Sequence, residues 1–123
     1  MHQIGNFFLR KNQKKSSENS HPTTWIIGKE FKEGKKEIAI RKIATEELKG
    51  TLNPEKHYII NCSFDHEFLS MSVMAKNVID SIVQETKCYK RAQIKVAEVK
   101  SFPSFYTGLV PTTKVSEFEF FAK

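Results

Sequence analysis

The chain has 123 residues, 39% of them hydrophobic and 11% aromatic, with ten phenylalanines, which is enough for one packed domain and too apolar for a disordered chain. Five glycines and four prolines exclude collagen-like and low-complexity classes, and no apolar run approaches the roughly 18 residues of a membrane helix. The formal charge of +6 is uneven, since residues 1–42 hold ten Lys/Arg against four Asp/Glu while residues 43–123 hold ten of each.

A basic field confined to one third of the chain attracts polyanions such as nucleic acid, and otherwise serves solubility. Two cysteines, Cys62 and Cys88, are too few for a stapled secreted domain and fit reduced thiols. The start, MHQIGNFFLRKNQKK, lacks an apolar core followed by a small-residue cleavage site. A cytoplasmic, single-domain protein spanning 1–123 is therefore expected, with no membrane partner.

Residues 4–10, IGNFFLR, suit a short strand. Residues 11–24 hold no large apolar side chain and read as a mobile basic loop or arm, either a solvated linker or a segment that tracks a phosphate backbone. TWIIGKEF and EIAIRKIA flank Gly34 in KEGKK and read as a hairpin, with Ile38 and Ile40 on one side. In residues 44–56, Thr45, Glu46 and Glu47 can start one helical turn that Gly50 stops, and Asn53-Pro54 marks a turn.

HYIINCSF, residues 57–64, is β-branched and aromatic and reads as a strand. Residues 65–87 admit one long helix, or a strand EFLSMSVMA followed by a helix NVIDSIVQETK capped by Asn77. The split is preferred because Leu69, Met71 and Val73 alternate with serines, while Val78, Ile79, Ile82 and Val83 line one helical side. KRAQIKVAEVKSF alternates at Ile94 and Val96 and breaks phase at Ala97-Glu98, as a bulge does. KVSEFEFF then places Phe118 and Phe120 inward and Glu117 and Glu119 outward.

The expected fold is mainly β with one helix, a barrel of five core strands plus N-terminal strands. The alternative is an α+β antiparallel sheet with one long helix at 65–87. From residue 36 onward the order strand, connection, strand, strand, helix, strand, loop, strand resembles the OB-fold. In order of elements, size and charge, residues 24–123 resemble the small OB-fold single-stranded DNA-binding, or helix-destabilising, proteins of phages and mobile elements. The resemblance implies ligand contact on the second and third strands and on two loops, residues 44–56 and KSFPSFYTGLVPTTK, residues 100–114. Many single-strand binders of bacterial type end in an acidic recruiting tail, whereas this sequence stops at FEFFAK, so the resemblance implies no recruitment role.

Single-strand binders set flat rings beside cations, because bases expose π-faces and the backbone is anionic. The rings nominated are Phe102, Phe105 and Tyr106 in the loop, with Tyr58 and Tyr89; Trp25, beside Ile26 and Ile27, fits a core better. The cations are Lys29, Arg41, Lys87, Lys90, Arg91, Lys100 and Lys114, and the run KCYKR, residues 87–91, interleaves both types. For each ring the competing reading is core packing, and for each lysine solvated surface. Cys62 and His66, spaced C-x3-H, make no pair of ligand pairs, so no metal or other cofactor is expected. Asp65-His66-Glu67 nominates no nucleophile, and neither a GxxxxGK[ST] loop nor HExxH occurs, so an enzyme is not expected.

The sequence thus points to non-catalytic binding of single-stranded nucleic acid, DNA favoured, with weak sequence preference. The competing expectation is a protein–protein module or inhibitor of phage or plasmid type acting on an acidic partner, the aromatic loop serving as a hot spot. Homodimerisation through the last strand is a further expectation, since an edge bearing Phe118 and Phe120 invites pairing.

Overall fold

The structure, a computed structural model, describes residues 9–12, 22–28, 33–100 and 111–122. Strands β1 (Leu9–Asn12) and β2 (Thr23–Ile27) precede helix α1 (Glu33–Leu48), strands β3 (His57–Ser63) and β4 (Phe68–Met74), helix α2 (Val78–Thr86), and strands β5 (Arg91–Val99) and β6 (Thr112–Ala122). All six strands form one sheet in the order β1-β2-β6-β5-β3-β4. Neighbours are antiparallel except β2 and β6, which run parallel.

This is an open mixed sheet with two helices, an α+β arrangement, and its ends are the separate strands β1 and β4. The expected barrel therefore has no closure among the described strands. Its first strand is also missing, because EIAIRKIA lies inside α1. The alternation Ile38-Ala39-Ile40 spans only three residues, whereas Ala39, Ile40, Ile43, Ala44 and Leu48 recur at helical spacing and are the ones buried. Ile38 falls off that stripe and stays 46% exposed. Gly34, expected in a hairpin turn, lies in the first turn of α1. Gly50 ends the helix as expected, at φ +76°, with the Thr51 N–H donating to the Leu48 carbonyl at 3.0 Å.

Residues 65–87 divide as expected into β4 and α2, so the alternative with a single long helix at 65–87 does not hold. Asn77 occupies the N-cap position of α2 but makes no capping bond, because a 3-10 turn over Ala75–Asn77 leads directly into the helix. The β5–β6 ladder slips by one residue between Val96 and Ala97, with Val115 as the extra residue on β6. Of the arm expected at 11–24, Lys11 and Asn12 pair with Trp25 and Thr24, and residues 13–21 lie outside the described residues.

One face of the sheet carries Trp25, Ile27, Tyr58, Ile60, Cys62, Ile94, Val96, Phe118 and Phe120, all buried against α1 and α2. Fully burying such a side chain contributes about 1.5–3 kcal/mol, so this two-layer contact holds the sheet against its helices. The last strand, β6, is interior: β2 and β5 flank it and Phe118 and Phe120 are buried, so it offers no edge for pairing through those rings. No described helix is long and apolar enough to cross a membrane.

Candidate functional site

The alternation that buries one face of each strand turns the other face away from the helices. On that face β3 presents Ile59, Asn61 and Ser63, and β5 presents Arg91, Gln93 and Lys95. Glu117, Glu119 and Phe121 come from β6, and Phe68, Ser70 and Ser72 from β4. The register aligns them in rows, Phe68-Ser63-Gln93-Glu119-Thr24 beside Ser70-Asn61-Lys95-Glu117. Two shallow clefts of about 240 and 250 Å³ share Ser63 and Gln93; Arg91, Phe64 and Asp65 help line the first, and Phe68 and Lys95 the second.

Two large rings on this face are open to solvent, Phe68 at 65% and Phe121 at 36%. They lie three strands apart and two residues out of row, about 16 Å by strand geometry. At the same end of the sheet, Phe64 and Tyr89 stack with centroids 3.8 Å apart and planes 12° from parallel. The Tyr89 hydroxyl donates to Glu67 at 2.9 Å, and that bond holds the phenol above its ordinary pKa. Arg91 and Lys95 are exposed, while Glu119 accepts from Thr24 at 2.8 Å and Glu117 pairs with Lys114 at 2.9 Å. The acids are thus engaged with neighbours, and two cations stand beside the rings.

The sequence-nominated residues divide by place. Tyr89, Lys90 and Arg91 lie at this end of β5, with Lys90 exposed. Lys100 lies beyond the other end of β5, about 30 Å away along the strand, where its N–H donates to the Pro111 carbonyl at 2.9 Å, and Lys114 lies within β6 opposite Ala97, about 20 Å from Arg91. KCYKR and the β5–β6 connection therefore do not form one patch through their described residues. Lys29, Phe102, Phe105 and Tyr106 lie outside the described residues.

Two nominees belong to the helix side. Arg41 on α1 pairs with Asp80 on α2 at 2.5 Å, and Lys87 pairs with Glu37 at 3.2 Å. Tyr58 is fully buried: it accepts from the Asn53 N–H at 2.6 Å, and its hydroxyl reaches Glu98 at 3.4 Å. Burial raises its pKa first of all, and no face of its ring is available to stack.

Phe64, Phe68, Phe121, Gln93 and Lys95 were not nominated. Period two could have found three of them: with Leu69 and Phe120 inward, Phe68 and Phe121 turn outward, and Lys95 lies between the buried Ile94 and Val96. Cys62 faces the core and His66 sits exposed at the β3–β4 turn, so C-x3-H does not converge. Among the described residues no three His, Cys, Asp or Glu side chains gather as a metal site. Comparison of the chain with protein-family models, curated proteins and solved structures gave no match.

Proposed function

We propose that the protein binds single-stranded nucleic acid without catalysis and with weak sequence preference, on the helix-free face of its sheet. The observation that carries this reading is the exposure of Phe68 and Phe121 on one face with Arg91, Gln93 and Lys95 between and beside them. Every base offers a π-face, so rings select for unstacked strands without selecting sequence, at about 1–3 kcal/mol per stacked base. Arg91, Lys95 and Lys90 supply the phosphate contacts, and the amides of Asn61 and Gln93 meet base edges or sugars. What carries over from the OB-fold single-strand binders is the mode of contact, rings on a β-surface beside cations, here on an open sheet.

Fluorescence anisotropy with a labelled single-stranded oligonucleotide tests the reading. Three phosphate contacts predict a slope of about −2 in log affinity against log salt, a loss of ~15-fold between 50 and 200 mM. Absence of binding at low salt, or affinity that ignores salt, would refute it and leave this face to a protein partner.

A further inference from the structure

Strand β4 ends the sheet, and its sequence FLSMSVM holds no charge, no proline and no glycine. An uncharged edge of seven residues is a template for pairing unless something covers it. The backbone bonds fix which groups it offers. Phe64 N–H donates to the Glu67 carbonyl and Ala75 N–H to the Lys56 carbonyl, so odd-numbered residues face β3. Phe68, Ser70, Ser72 and Met74 therefore turn their N–H and C=O groups to the edge that no described strand pairs.

The strand is also a chemical palindrome about Met71: serine on each side, then Leu69 against Val73, then Phe68 against Met74. We infer that β4 pairs antiparallel with β4 of a second copy, about a twofold axis through Met71, to make one continuous twelve-stranded sheet. In that register the outward-facing residues meet as the hydrogen-bonded pairs, Phe68 with Met74 and Ser70 with Ser72, while Met71 meets Met71. Phe68 and Met74, exposed at 65% and 41%, pack side to side across the seam on the helix-free face, which leaves the outer face of the Phe68 ring open to a base. Leu69, Met71 and Val73, half-buried at the rim of the core, meet their counterparts on the helix side. Charge agrees as well, since each end of the seam sets exposed Asp65 and Glu67 beside exposed Lys76 of the second copy. A second copy thus satisfies the backbone, the apolar side chains and the charges together.

Analytical ultracentrifugation of the full chain, free of nucleic acid, tests this apart from the ligand reading. The mass should rise to twice the 14.2 kDa chain mass as concentration increases. Ser70→Lys with Ser72→Lys, both exposed, sets lysine against lysine and should hold the chain monomeric. Mixing that variant with Ser70→Glu/Ser72→Glu should restore the dimer, because position 70 faces position 72. Met71→Cys in a Cys88→Ala background should form an intermolecular disulfide, since a non-hydrogen-bonded antiparallel pair sets Cα atoms about 4.5 Å apart. A wild-type mass of 14.2 kDa up to roughly 1 mM would overturn the inference. So would a dimer that the lysine pair leaves intact, or Lys and Glu variants that stay apart on mixing.

Discussion

The indole of Trp25 leaves β2 and donates to a carboxylate oxygen of Glu47 on α1 at 2.8 Å, joining the sheet to the helix by one charge-assisted bond. Trp25→Phe keeps most of the ring and removes that donor. Urea unfolding should show a loss of about 1–2 kcal/mol, the upper range being discounted because Glu47 is half-buried. The two thiols differ just as clearly. Cys88 is exposed, whereas burial, with the Glu85 charge adding to it, pushes the Cys62 thiol up to about 12. A thiol reagent at neutral pH should label Cys88 quickly and Cys62 only on unfolding. Because the folded state keeps the Cys62 proton while the unfolded chain releases it, stability is full below the ordinary thiol value of 9.0 and falls as pH rises towards 12. The buried Tyr58 phenol, also raised, shifts stability in the same direction. Cys62→Ala should flatten the alkaline limb of a urea-midpoint series, and an unchanged slope would assign that limb elsewhere.

At the scale of elements, the strands were legible and the first helix was not. HYIINCS declares itself by β-branched and aromatic residues, FLSMSVM by alternation from Leu69 to Val73, and SEFEFF by alternation from Ser116 to Phe121. EIAIRKIA holds it for three residues, beside a lysine-and-glycine run that imitates a turn, and the helical stripe emerges only when 44–48 is joined to it. The two assignments predict different mutational costs. A strand would place Ile38 and Ile40 on one face with similar burial. The helix buries Ile40 and Ile43 fully and leaves Ile38 exposed, so Ile40→Ala or Ile43→Ala should cost about 2–5 kcal/mol and Ile38→Ala less than 0.5, by chemical unfolding. The site was legible only in part for a related reason. Tyr89, Lys90 and Arg91 stand out as a cluster in one line of sequence, but Phe68, Phe121, Gln93 and Lys95 converge only through strand order. No local pattern shows that β6 enters the sheet between β2 and β5.

For the whole molecule, the described cations of α1 lie in the helix layer and the exposed rings Phe68 and Phe121 on the other face of the sheet. Lys36 donates to the Tyr89 carbonyl before β5, and Arg41 pairs with Asp80 within the helix layer. In the proposed binding mode, net charge would steer a polyanion from a distance and Arg91 and Lys95 would hold it at the helix-free face. Affinity should respond to the rings on that face and not to the helix layer. Anisotropy of a labelled single-stranded oligonucleotide at low salt, compared for Phe68→Ala/Phe121→Ala and Arg41→Ala, tests this most directly. Removing two stacking rings should cost at least about 2 kcal/mol, a ~30-fold loss, and Arg41→Ala should change affinity less than about threefold. Equal losses from the two variants, or unchanged binding without the rings, would contradict the account.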